Sequence, residues 1–382
     1  YYKSTFPDLL LIALTGSVGK TTTKEMVACV MEQKGETLKT EGNFNNEIGM
    51  PRTLFRLEET TKNAVIEMGM DGFGQISALT NCAKPDCAII TNIGVSHVEI
   101  LGSRDGILQA KLEILEGLKK GSPVFLNGDD DKLSTVKLDD YKVIFFGIEN
   151  KDCDVVAENI EEKGFTTEFV AIKGDIKQKI TIPTVGLHNV YNAVGAIIAA
   201  RRFLKLSDEE IQKGLLSFKG TAGRMEIMGK VGDKTIMVDY AHNPAGVETV
   251  LKEITKIYGD TTVVITVTSE SGHEGDIEIL EKALDNVKYI VPASHDSRLV
   301  VDELLASAKE GNADFDYETL EKTFVFTEEA PEQASNFTLG ANQEQVVEGV
   351  KAALKTDSNI VIAIGEAAFK FNSAISELCD KD

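Results

Sequence analysis

The chain has 382 residues, with 40 Lys plus Arg against 61 Asp plus Glu, for a net charge of −21. That length gives two or three domains with sizeable cores, and the 42% of apolar residues is too high for a disordered acidic chain. The charge disfavours a nucleic-acid coat, whose phosphates it would repel, but leaves room for one nucleotide held locally by backbone amides and a lysine. No apolar run approaches the ~18 residues of a membrane span. Tyr1-Tyr2-Lys3 runs straight into a strand pattern, so no secretory signal is expected and the expected location is the cytoplasm. Cys29, Cys82, Cys87, Cys153 and Cys379 are odd in number and lack CxxC spacing. They read as reduced, mostly buried thiols, with neither a zinc site nor a disulfide frame.

In chain order, residues 9–14 form an apolar strand and 24–33 a helix on the 3.6-residue period. Residues 64–67 and 87–91 are short buried strands, and 104–118 is a helix. This alternation predicts an α/β domain with a mostly parallel sheet of the P-loop type. Period-2 segments such as Phe165-Thr166-Thr167-Glu168-Phe169-Val170 predict a small antiparallel insert over 142–182. Helices return at 189–203 and 207–217. The glycine-bearing stretch 219–224 is the candidate joint, giving domains 1–222 and 223–382. Beyond it, 235–239, 262–267, 288–291 and 359–364 read as strands and 245–258 as a helix: a second, Rossmann-like α/β domain.

The sharpest motif is Leu14-Thr15-Gly16-Ser17-Val18-Gly19-Lys20-Thr21-Thr22-Thr23, between a strand and a helix. Gly16 and Gly19 let backbone N–H groups approach an anion, and the helix N-terminus attracts phosphate. Lys20 supplies a charge for the outer phosphates and Thr21 a hydroxyl for Mg²⁺. The loop is a shortened G-x-x-G-K-T form, since Leu14 stands where the longer pattern has glycine. Glu67 ends one strand and His97 lies just past another, so each is placed at the ligand crevice of such a sheet as a candidate metal ligand. The bland alternatives are a solvated carboxylate and an ordinary surface or core histidine.

Taken together, these residues resemble the Mur ligase family, ATP-dependent enzymes that join an amino acid or peptide to a carboxylate. The resemblance runs from the phosphate loop through Glu41-Gly42-Asn43-Phe44-Asn45-Asn46-Glu47-Ile48-Gly49-Met50-Pro51 and Glu67-Met68-Gly69-Met70. It continues in Ile90-Thr91-Asn92-Ile93-Gly94-Val95-Ser96-His97, Ala110-Lys111-Leu112-Glu113-Ile114 and Gly186-Leu187-His188-Asn189-Val190-Tyr191-Asn192-Ala193. These stretches look like the subgroup that adds D-Ala-D-Ala to a UDP-muramoyl-tripeptide. The resemblance implies ATP contacts from Gly16, Ser17, Val18, Gly19, Lys20, Thr21 and Thr22. It implies two Mg²⁺ ions held by Thr21, Glu67, His97 and Lys111, the last as a carbamate formed with CO₂. The alternative for Lys111 is a solvated lysine paired with Glu113 or Glu116. Asn189 and Asn192 resemble adenine-side residues, with helix N-capping as their alternative. Arg224 resembles a joint arginine that reaches ATP, and Asp239 an acid that contacts ribose. Lys20, Lys111, His97 and Arg224 are the implied catalytic residues.

Three departures leave the amine acceptor open. The subgroup's N-terminal UDP-sugar-binding domain is expected to be absent, since the phosphate-loop strand starts near residue 9. Asp239-Tyr240-Ala241-His242-Asn243-Pro244 is nearer the diaminopimelate- or lysine-adding subgroup and cyanophycin synthetase. His295-Asp296-Ser297-Arg298 and Ile364-Gly365-Glu366-Ala367-Ala368-Phe369 stand where that subgroup has an Asn-Pro-Arg and a Gly-Lys-Gly-His-Glu signature. The expected activity is amide formation through an acyl phosphate in cell-wall precursor synthesis, by a monomer acting on small carboxylate and amine substrates. Nucleic-acid binding and membrane insertion are not expected. A ligase of cyanophycin, folylpolyglutamate or archaeal type and a nucleotide-gated ATPase switch are the alternatives.

Overall fold

The computed structural model describes residues 2–94, 98–163, 166–266, 272–311, 315–331 and 340–380. The chain divides into two compact units, Tyr1–Gly220 and Thr221–Asp382.

In the first unit, β1 (Leu10–Thr15) leads through the phosphate loop into α1 (Lys20–Met31) and on to β2 (Thr37–Lys39). After α2 (Gly49–Leu54) come β3 (Asn63–Glu67), α3 (Gln75–Ala83) and β4 (Cys87–Ile90). Then follow α4 (Val98–Leu101), α5 (Arg104–Leu112), β5 (Pro123–Asn127) and β6 (Lys142–Gly147). A meander of β7 (Val155–Lys163), β8 (Thr166–Lys173) and β9 (Ile176–Ile182) precedes α6 (Leu187–Leu204) and α7 (Asp208–Leu216). Among the described residues the strand order is β2-β3-β1-β4-β5-β6-β7-β8-β9.

β1 lies between β3 and β4, with Leu14 opposite Glu67 and Thr15 opposite Ile90, all parallel. The chain crosses from β1 to one side of the sheet and later returns to the other. The carboxyl end of β1 is therefore a topological switch point, where such sheets open a ligand crevice. Alternate β1 side chains feed two cores. Ile12 and Leu14 pack with α1 and α6 on one face, and Leu11 and Ala13 pack with α2, α3 and α5 on the other.

The antiparallel stretch is shorter than the sequence reading. β6 pairs parallel with β5 and with β7, and antiparallel pairing begins only at β7–β8. Residues Val143, Ile144, Phe145 and Phe146 form a near-continuous apolar run, the pattern of a parallel strand packed on both faces. Helix α5 also stops short of 118, giving way to a 3₁₀ segment at Glu113–Gly117. The thiols differ from expectation too, because only Cys87 is fully buried while Cys82 is exposed.

In the second unit, β10 (Glu226–Val231) and β11 (Lys234–Asp239) form an antiparallel pair, followed by α8 (Pro244–Tyr258) and β12 (Thr261–Ile265). Next come α9 (Gly272–Leu284), β13 (Tyr289–Pro292), α10 (His295–Lys309) and α11 (Tyr317–Thr323). α12 (Gln343–Leu354), β14 (Ile360–Ile364), α13 (Glu366–Lys370) and α14 (Asn372–Ser376) complete it. The order is β10-β11-β14-β12-β13, parallel except for β10. No helix among the described residues is long and apolar enough to cross a membrane.

Candidate nucleotide and cation site

The phosphate loop is built by close approach. A Cβ on Gly16 would lie 1.8 Å from the Thr91 hydroxyl, so only glycine fits there. Gly19 sits in the left-handed region at φ 79°, and its Cβ would come within 2.8 Å of Asn192 Oδ1. Gly19 occupies the N-cap of α1 without a side chain to cap it. The N-terminal end of α1, with its partial positive charge, is thereby set at the mouth of the loop, where a helix start attracts an anion. Val18 is exposed, and Ser17 and Lys20 are half-buried. The Lys20 ammonium donates to the carbonyls of Gly16 and Ser17 at 2.9 and 3.2 Å, folded over its own loop.

The segment after β4 zips onto this loop. Asn92 accepts the Val18 N–H at 2.9 Å and donates to the Val18 carbonyl at 3.0 Å. Thr91 donates to the same carbonyl at 2.7 Å, Gly94 N–H donates to Ser17 Oγ at 2.8 Å, and Ser17 N–H donates to the Asn92 carbonyl at 3.1 Å. The Ile93 peptide is held in turn, its N–H by Asp130 at 2.8 Å and its carbonyl by the Arg104 guanidinium at 2.8 Å. His97 lies just beyond, outside the described residues.

Glu67 ends β3 at 2% exposure, not in solvent. Its Oε1 accepts from Asn45 Nδ2 at 2.9 Å and from the Thr21 hydroxyl at 3.4 Å. Its Oε2 is buried without a hydrogen-bond partner among the described residues and lies 3.6 Å from the Lys24 ammonium. A serviceable cation site needs hard oxygen donors of this kind, and the Thr21 hydroxyl with the Glu67 carboxylate fits one.

Lys111 on α5 is 4% exposed. Burial first, and the charge of Lys20 second, bring its amine down to about 7. The paired-surface-lysine alternative fails, because Glu113 instead accepts the N–H groups of Gly74 and Ser77, and Glu116 binds the Ser77 hydroxyl.

Asn189 and Asn192 are both buried, and neither caps α6, whose N-cap is Gly186. Asn189 donates to the Val185 carbonyl at 2.7 Å and accepts from Asn192 at 3.2 Å. Asn192 accepts the Thr23 hydroxyl at 2.9 Å. This chain ties α6 to α1 behind the loop.

In the second unit, Arg224 is exposed, with its guanidinium 5.4 Å from the Tyr240 ring centre. Both Asp239 oxygens accept backbone amides, from Ala241 at 2.7 Å and from Met225 at 2.8 Å. Asp239 thereby pins Met225, a non-glycine residue at φ 43°.

Sequence reasoning missed Lys24, Asn45, Thr91 and Asn92. The asparagine-rich stretch 43–46 and a lysine on the apolar stripe of α1 were the available signals.

Two sequence models match this chain, the Mur ligase middle domain over residues 14–200 and the Mur ligase glutamate ligase domain over 223–347. The chain belongs to the Mur ligase family. The UDP-N-acetylmuramoyl-tripeptide–D-alanyl-D-alanine ligase of Bacillus subtilis (strain 168) is 39% identical over 258 residues, 67% of this chain and 55% of that protein. A MurF structure from Acinetobacter baumannii superposes at a TM-score of 0.79 with 24% identity, over 100% of this chain and 79% of that one. A pseudomurein peptide ligase type C from Methanothermus fervidus superposes at 0.73 with 27% identity, over 96% and 78%. This Mur ligase chain spans about half the length of the curated relatives it matches, from 42% to 65%.

Proposed function

We propose that this chain carries the ATP-dependent, amide-forming activity of a Mur ligase, joining an amino acid or dipeptide to the carboxylate of a UDP-muramoyl-peptide-like substrate. One observation carries the reading: the buried Glu67 carboxylate accepts from Thr21 of the phosphate loop, and the buried Lys111 amine lies close enough to Lys20 of that loop to feel its charge. The name of the Bacillus relative supports the substrate class.

Amide formation from a free acid needs the acid oxygen converted into a leaving group. ATP does this by passing its γ-phosphoryl to the carboxylate, and the amine then displaces phosphate from the acyl phosphate. The N-terminal amides of α1 and the Lys20 ammonium neutralise the phosphates and hold them in line. Thr21 and Glu67 would hold Mg²⁺, with His97 retained as a ligand on resemblance; the ion supplies charge neutralisation on the transferring phosphoryl. Lys111 would hold a carbamate, because a buried amine near 7 is partly neutral at physiological pH, the form that reacts with CO₂. Arg224 would add a cation from the second unit, and Asn189 with Asn192 back the loop on the adenine side. Asp239 would contact ribose only alongside its amide contacts.

The likeness to an archaeal pseudomurein peptide ligase supports a second reading in which the same chemistry serves a different peptide acceptor. Phosphate release against a panel of carboxylates and amines separates these, with UDP-muramoyl-tripeptide and D-Ala-D-Ala first. ADP, phosphate and amide are expected in equal amounts, and Lys20→Ala is expected to abolish all three. ATP turnover that ignores both carboxylate and amine would favour a nucleotide-gated switch.

A further inference from the structure

Lys24 follows Lys20 by one helical turn, yet its side chain is wholly enclosed at 0% exposure. A lysine ammonium in that setting is costly unless paired. Among the described residues its Nζ has no hydrogen-bond partner, and two carboxylate oxygens stand near it, Glu25 Oε1 at 3.4 Å and Glu67 Oε2 at 3.6 Å. The other Glu25 oxygen is bound by Lys39 of β2. Four charges therefore alternate across β2, α1 and β3: Lys39, Glu25, Lys24, Glu67. The array sums to zero, and its open end is Glu67 Oε1, which faces Thr21 and Asn45.

We propose that Lys24 is a positioning residue, the resident counter-ion of Glu67, which closes the cation site to a bare divalent ion until nucleotide phosphates arrive with it. This rests on the reading of Glu67 as a cation ligand. A fixed positive charge behind the carboxylate cancels much of the attraction that a single carboxylate offers in a low-dielectric pocket. The phosphates supply the missing negative charge. Metal and nucleotide then bind with positive coupling, which linkage makes reciprocal. Holding Oε2 also leaves Oε1 alone to face the site, which sets one carboxylate oxygen toward the ion.

Mn²⁺ titrations followed by electron paramagnetic resonance test this, with and without a nonhydrolysable ATP analogue. The wild-type chain is expected to bind bare Mn²⁺ at least tenfold more weakly than Mn²⁺ in the presence of the analogue. Lys24→Met is expected to bind bare Mn²⁺ at least tenfold more tightly than wild type and to lose most of the coupling. In a Glu67→Gln background, Lys24→Met is expected to change bare Mn²⁺ affinity by less than twofold, since the effect runs through Glu67. That double variant removes both buried charges and keeps side-chain volume. Lys24→Gln provides the same comparison if Lys24→Met does not fold. Bare Mn²⁺ affinity unchanged or weakened in both Lys24 variants would overturn the proposal. If Glu67→Gln leaves Mn²⁺ binding with the analogue unchanged, the fault lies instead with Glu67 as a ligand, and the function reading loses its cation site.

Discussion

Lys111 is the residue where stability and chemistry pull in opposite directions. Its amine is lowered from 10.5 to about 7 in the fold, burial first and Lys20 second. Between those two values the unfolded chain binds more protons than the folded one, so stability rises with pH across that window. Below pH 7 both states carry the charge and the fold bears the whole cost. At roughly 1.4 kcal/mol for each pH unit between the two pKa values, that cost is a few kcal/mol. Lys111→Met is therefore expected to unfold at a higher temperature than wild type in metal-free, CO₂-free buffer. The gain should be largest at pH 6 and vanish toward pH 10, as thermal melts across that range would show. A lysine kept at such a cost needs a chemical reason, and the proposed carbamate is one. Lys111→Ala is expected to lose ligation activity by about a hundredfold or more and to regain part of it with added formate or acetate. A Met variant that gains stability beside an Ala variant that ignores added carboxylates would leave the burial cost real and remove the carbamate.

At the level of elements, the loop after β4 is the scaffold of the phosphate loop. Asn92 takes both the N–H and the carbonyl of Val18, a job otherwise done by a paired strand. Val18 is exposed, so water replaces these bonds when they are lost, and the fold should lose only about 1 kcal/mol. The loop's order is lost with them. Asn92→Ala is expected to weaken binding of a nonhydrolysable ATP analogue about tenfold, by titration calorimetry, with little change in melting temperature. Equal affinity in that variant would show that the loop holds its shape unaided. The glycines and lysine of this loop were legible in the sequence because their spacing is a local property. Asn92, Thr91 and Lys24 were not, because their partners lie far along the chain, Val18 of the phosphate loop for the first two and Glu67 of β3 for Lys24. The same limit explains α5. Its periodic pattern reads to 118, but Glu113 turns away to receive the first amides of α3, and Gly117 packs against Thr80 where a Cβ would lie 2.2 Å from the carbonyl oxygen. Tertiary contacts cut the helix short. In β6 a buried apolar run was read as part of the antiparallel stretch, although only the segments after it alternate.

At the level of the whole molecule, each buried apolar cluster belongs to one unit. Two clusters lie on the faces of the first sheet, drawn from Leu9 to Phe218, and two on the second, drawn from Ile236 to Ile375. A unit that completes its own core folds by itself. The candidate residues divide in the same way: the phosphate loop, Glu67 and Lys111 lie in Tyr1–Gly220, and Arg224 and Asp239 in Thr221–Asp382. A fragment of residues 1–220 is thus expected to melt cooperatively and to bind a nonhydrolysable ATP analogue about tenfold more weakly than the whole chain. The proposed role of Arg224 as a cation for ATP, one charge-assisted contact, would account for a loss of that size. The same fragment should form no amide, and residues 221–382 should fold without binding nucleotide. Calorimetric melts and titrations on both fragments check this. Nucleotide bound by the second fragment, or a first fragment that folds and binds none, would mean that the phosphate-binding function had been assigned to the wrong half of the chain.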